Sequence, residues 1–212
     1  MSNEVAAHVV FTETALSSIA TVEKQRNDLK SVKTLKSDKY ADVLSKARSL
    51  VSDVNVATLL ASCNVDATAY ESIQLNAIMK ENHIIEYLTR NVRLNNYISE
   101  IFESAVNKRK LDEASFFTRE DAEHALNRDY YENKASDVEK QYLVKYATFF
   151  DATSVQSKTT LQALVALNIF VFHSNSISRD CYTVNVENEL TKRFAEKLRI
   201  SLVNEASNET TE

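Results

Sequence analysis

No glycine and no proline occur anywhere in the 212 residues of this chain. Average usage would supply about 15 of the first and about 10 of the second. Glycine takes positive φ without steric cost, and proline is the strongest local helix breaker. Without them, helices run until Asn, Asp or Ser interrupts them, and every turn must be built from those residues or from a helix end. An all-β protein, which depends on many tight turns, is strongly disfavoured. The expected class is mainly α: a multi-helix bundle with a long central helix and one small β-hairpin near the C-terminus.

The missing glycine also removes chemistry. The P-loop, the dinucleotide-binding turn and the nucleophile elbow all require it. His8, His83, His124 and His173 are scattered, with no H-E-x-x-H and no C-x-x-C. Asp121 and His124 have a D-x-x-H spacing on one helix face. A dimetal bundle would need two Glu-x-x-His motifs and two further carboxylates, so this pair reads as a surface ion pair. Cys63 and Cys181 have no metal or redox spacing and read as reduced, buried thiols. The expectation is a chain with no catalytic residues, no cofactor, no metal and no small-molecule substrate.

Periodicity organises the chain into a long-helix region over 1–110, a helical module with a hairpin over 111–204 and a flexible acidic tail over 205–212. Asn3 to about Lys36 reads as one amphipathic helix. Val5, Val9, Thr12, Leu16 and Ile19 repeat at 4-3-4-3, a short heptad-like seam that suits either self-association or the chain's own core. Lys24, Arg26, Lys30, Lys33, Lys36 and Lys39 make its second half basic, as a solvated or a phosphate-contacting face. Ser37-Asp38 restarts the helix, and Tyr40, Val43, Leu44, Ala47, Leu50 and Val51 form one apolar stripe. Asp53 breaks it. A short helix over 56–61 and a cap at Asp66 make a pattern superficially like a helix-turn-helix. From 67 to 110 helical periodicity is unbroken, and the expected kink or split lies near Glu81-Asn82-His83 or Asn95-Asn96. Thr118 and Asp121 form a capping box, with Phe117 and Ala122 as its hydrophobic staple, opening a helix that runs to about Asn133. Glu187 to about Asn204 is the last helix.

The stretch 136–186 is the most informative. Ser136 and Glu139 form a capping box, and so do Thr153 and Gln156. The second opens a helix with Leu161, Leu164, Val165 and Leu167 on its apolar side. Asn168 is placed to end that helix in the left-handed conformation. Ile169–Phe172 and Cys181–Val186 then read as two strands joined by a long loop.

Helix, turn, helix and two-stranded wing together resemble a winged helix-turn-helix module. Thr153 stands at the cap of the helix that such a module uses for recognition, Leu161 and Leu164 at its core positions, and Asn168-Ile169-Phe170 at the exit into the wing. Ser157 stands where the family places an aliphatic residue, and Lys158 is the helix's one basic residue. The resemblance implies nucleic-acid contacts from Gln156, Ser157, Lys158 and Thr160, with Arg179 on the wing.

A net charge of −5 and a pI near 5.5 argue against broad phosphate neutralisation. The expected partners are therefore copies of the chain itself or other proteins of a larger assembly, met along Val5, Val9, Leu16 and Ile19. Nucleic acid is the alternative partner. No stretch is apolar enough to suggest a membrane span, and no signal peptide is evident, so the expected location is intracellular (cytoplasmic). The small size of the chain also fits a viral (phage) component, which would place it within a viral particle.

Overall fold

The structure, a computed structural model, describes residues 2–28, 38–145, 153–174 and 180–203. Residues 2–6, 26–28, 38 and 39 are described by their backbone alone. The fold is mainly helical with one small antiparallel sheet among the described residues. It divides into two compact units, Met1–Leu94 with Gln162–Asn168, and Asn95–Leu161 with Ile169–Glu212. The division falls after Leu94 rather than near residue 110.

The first unit holds α1 (Ser2–Asp28), α2 (Asp38–Val51), α3 (Val54–Ser62), a 3-10 turn (Ala69–Glu71) and α4 (Leu75–Arg90). α1 packs on α2, α3 and the 3-10 turn, while α2 packs on α3 and α4. The stripe predicted for α2 is core: Val43, Leu44, Ala47, Leu50 and Val51 are buried. Asp53 starts α3 by accepting the Asn55 amide at 3.0 Å. Thr12 donates to the Val51 carbonyl at 3.1 Å, and Ser18 to that of Thr68 at 3.2 Å, so two hydroxyls on α1 cap carbonyls of its neighbours.

Asparagine does the work of the missing glycine. Asn64, Asn91 and Asn168 take φ of 53°, 56° and 55°. Asn64 ends α3 in a Schellman motif, its amide on the Ala61 carbonyl and that of Val65 on the Leu60 carbonyl. Asn168 ends α9 (Thr153–Ala166) as predicted, and its Nδ2 donates to the Cys63 carbonyl at 3.2 Å. The split expected within 67–110 is present next to Asn95-Asn96, and the stretch forms three elements. An Asp66-centred turn leads into the 3-10 turn, with Thr68 N–H and Oγ1 donating to Asp66 Oδ1. α4 ends at left-handed Asn91, and α5 (Asn96–Leu111) starts after Asn95. Glu81–His83 instead lies inside α4, where Lys80, Glu81 and Asn82 are all buried.

The second unit holds α5, β1 (Phe117–Thr118), α6 (Arg119–His124), α7 (Arg128–Asn133), α8 (Glu139–Tyr142), β2 (Phe170–Ser174), β3 (Asp180–Val184) and α10 (Glu189–Leu198). Thr153–Leu161 of α9 belongs to this unit, and its remaining residues to the first. The hairpin has a third strand that periodicity missed: the sheet order is β1-β3-β2, with Phe117 opposite Tyr182 and Phe172 opposite Tyr182 on the other side. Phe117, Phe170 and Val184 turn inward. Phe102 meets Phe194 edge-on at 4.8 Å and Phe170 at 6.3 Å, which makes an aromatic core beneath the sheet. The helix expected over 118–133 is split, because Asn127 starts α7 by accepting the Tyr130 amide at 2.9 Å. The last helix stops at Leu198 rather than Asn204. Arg199 turns left-handed (φ 60°) in a second Schellman motif, closed by Ile200 N–H on the Ala195 carbonyl. The Ser136–Glu139 box is formed, but the helix expected to carry Leu143 and run on to Phe150 stops at Tyr142, because Leu143 turns extended (φ −68°, ψ 143°); residues 146–150 lie outside the described residues.

Candidate functional site

The residues singled out on α1 separate. Ile19 is fully buried, Leu16 is half-buried and Val9 is 43% exposed, while the side chain of Val5 lies outside the described residues. The helix buries Phe11, Ala15, Ser18 and Ile19, a stripe rotated away from the heptad-like seam. Ile19 is therefore core, and among the described side chains of α1 the large apolar ones left exposed are Val9 and Val10. Of the basic run over 24–39, only the side chain of Lys24 is described, and it is exposed.

The residues assigned to a nucleic-acid groove separate as well. Lys158 is exposed and Gln156 is half-buried. Ser157 and Thr160 are fully buried, which corrects their assignment to a groove. The reason is local: Ser157 donates to the Ser154 carbonyl at 3.1 Å and Thr160 to the Gln156 carbonyl at 2.7 Å. With their hydroxyls satisfied by the helix itself, both can sit on its packed side. Arg179 lies outside the described residues.

Asp121 and His124 do not act as the surface pair their spacing suggests. Asp121 is buried and accepts four hydrogen bonds: from Lys108 Nζ at 2.7 Å, from Thr118 N–H at 2.7 Å and Oγ1 at 2.8 Å, and from the Tyr142 hydroxyl at 2.7 Å. Burial acts to raise its pKa, but Lys108, Tyr142 and Thr118 outweigh it and hold the carboxyl below its ordinary value. His124 stacks on Tyr130 at 3.5 Å and lies 3.6 Å from Glu139 Oε1. Glu139 is drawn down to about 2, first by the Tyr130 hydroxyl, which donates at 2.6 Å, and also by Ser136. These contacts pin α5, β1, α6 and α8 to one another. They engage both oxygens of the Asp121 carboxylate.

The sheet offers a different surface. The Asn185 amide donates to the Ile169 carbonyl at 2.9 Å, which sets the phase of the β2–β3 ladder. Antiparallel partners alternate between hydrogen-bonded and non-bonded pairs. Val171↔Thr183 and His173↔Cys181 are therefore bonded pairs, and Phe172↔Tyr182 and Ser174↔Asp180 are not. It follows that the backbone N–H and C=O of Phe172 and Ser174 point off the sheet at its β2 edge. No other strand among the described residues pairs there. Val171 is 38% exposed and Phe172 46%. Phe116, 43% exposed, packs edge-on against His173 at 5.2 Å on the outer face, and His173 Nε2 lies 2.8 Å from Thr183 Oγ1. The edge and its outer face thus carry Val171, Phe172 and Phe116 at the surface, and Phe170–Ser174 contains no Lys, Arg, Asp or Glu.

An open groove of about 460 Å³ also lies in this unit, lined by Arg109, Lys110, Glu113, Val186, Glu187, Lys192, Leu202 and Val203. Its cations are largely matched: Arg109 faces Glu113 at 4.0 Å and Lys192 faces Glu189 at 2.8 Å. Among the described residues, no group of three or more His, Cys, Asp or Glu side chains could hold a metal ion. No described helix is long and apolar enough to cross a membrane. In comparisons with known proteins, the chain matches no family model, no curated protein and no solved structure.

Proposed function

We infer that this chain is a non-enzymatic assembly protein and that it docks through the open edge of β2. The observation that supports this reading is the edge itself. Sheet edges are ordinarily protected by charge, by proline, by a bulge or by a covering element, because unpaired N–H and C=O groups invite another strand. Phe170–Ser174 contains no Lys, Arg, Asp, Glu or Pro, and its register with β3 runs without a bulge. An incoming strand would gain main-chain hydrogen bonds from Phe172 and Ser174, with Val171 and Phe172 supplying apolar contact.

Val171→Lys is the test, since a charge there follows the means by which natural edges are blocked. Wild type and variant are used to capture associated chains, including differently tagged copies of themselves, from cells that express them. Docking at β2 predicts chains held by the wild type and lost from a folded V171K. Equal recovery from both, or none from either, contradicts it.

The alternative is a winged-helix nucleic-acid-binding protein. The passage from α9 into the β2–β3 hairpin and the exposed Lys158 favour it. The burial of Ser157 and Thr160 weighs against it. With Lys158 and Arg179 as its cations, duplex binding would show a log–log salt slope no steeper than about −2. No duplex binding at low salt removes this reading.

A further inference from the structure

Resting on the reading of β2 as a docking edge, we propose that its occupant is β2 of a second copy, paired antiparallel with Phe172 on the two-fold axis. The phase of the ladder permits this arrangement, and the pairing of two exposed phenyl rings favours it. Phe172 and Ser174 direct their N–H and C=O groups outward, so a new hydrogen-bonded pair must join residues of that set. Centring on Phe172 makes Phe172 its own partner and puts Val171 opposite His173, while the buried Phe170 stays outside the pairing. The strand carries no Lys, Arg, Asp or Glu, so self-pairing sets no like charges against each other, which is the usual obstacle to a chain pairing with its own copy. It also brings two half-exposed phenyl rings together, an aromatic cross-strand pair. A two-fold contact of this kind is self-complementary and closes at a dimer.

Cysteine cross-linking tests the pairing and its register. In a bonded antiparallel pair the two Cα atoms are about 5.5 Å apart, inside the roughly 4.4–6.8 Å span of disulfides. Phe172→Cys should therefore form a disulfide dimer as its main species under mild oxidation. Val171→Cys should stay monomeric, because the two copies of residue 171 lie diagonally, beyond the roughly 7 Å limit for a disulfide. The native Cys63 and Cys181 are buried and not joined in a disulfide, and the wild-type chain serves as their control. A single strand pair buries far less than the roughly 1,200 Å² of stable complexes, so protein at about 100 μM is used. Both variants replace partly exposed side chains and are first checked for wild-type circular dichroism. An F172C dimer with a V171C monomer is the expected result. A V171C dimer without an F172C dimer, or no cross-link in either, overturns the proposal. Those outcomes leave the capture comparison with V171K to decide the docking reading separately, since another protein could still occupy the same edge.

Discussion

The Tyr142 hydroxyl donates to Asp121 Oδ1 at 2.7 Å across 21 residues of chain, and both side chains are buried. The same carboxylate takes Lys108 and Thr118. Removing it would strand a cation and a buried hydroxyl together. Asp121→Ala should cost about 3–5 kcal/mol, the range for breaking a buried ion pair from one side. A loss below about 1 kcal/mol in urea melts would show that the cluster does not hold the second unit.

Because the pKa of Asp121 is lowered from 3.8, its contribution is present above that value and is lost as pH falls through the lowered one. Asp121→Asn should therefore flatten the acid limb of the stability profile. An unchanged acid limb would contradict this assignment.

A second titration is expected in the first unit, with an unusual sign. Burial first of all raises Glu81 from 4.5 to about 8 and lowers Lys80 from 10.5 to about 7. Glu81 contributes stability that is present below 4.5 and lost as pH rises through about 8. Lys80 contributes stability that is present above 10.5 and lost as pH falls through about 7. The two effects together place a stability minimum near pH 7–8. Glu81→Gln should remove the acidic side of that trough and Lys80→Met the alkaline side. Melts that peak at neutral pH in the wild type, with no change in either variant, would exclude it.

How much of this was legible beforehand follows distance along the chain. The Thr118–Asp121 cap, the break at Asp53 and the left-handed Asn168 depend on a few adjacent residues, and each is formed as read; that Asp53 also caps α3 was not read. The partners of Asp121 are not local: Lys108 is 13 residues away and Tyr142 is 21. β1 is two residues long and exists only through its register with β3, so no periodicity announces it. Polarity misled in both units. Glu81-Asn82-His83 read as a place to break a helix, and Ser157 and Thr160 as part of a groove-facing set, yet Glu81, Asn82, Ser157 and Thr160 are buried. The proposed docking edge needed two facts together: the uncharged Phe170–Ser174 run, visible in the sequence, and the sheet order, which is not.

Arg199 holds φ 60° at a position that glycine ordinarily fills. A left-handed conformation costs a residue with a Cβ roughly 1–2 kcal/mol. Arg199→Gly should stabilise the second unit by about 1 kcal/mol, less what the more flexible unfolded chain takes back. A destabilisation in thermal or urea melts would mean that the arginine side chain contributes more than its backbone costs.

Amide exchange at Phe172 tests the central claim most directly. Its N–H points off the β2 edge, whereas that of Val171 points to Thr183 within the sheet. Hydrogen–deuterium exchange is read at both residues in dilute protein and at about 100 μM, where a weak contact of this size would populate. The account predicts that Val171 is protected at both concentrations, while Phe172 exchanges freely when dilute and becomes protected when concentrated. Exchange at Phe172 that is fast at both concentrations, or already slow in the dilute monomer, would contradict an open edge that docks a second copy.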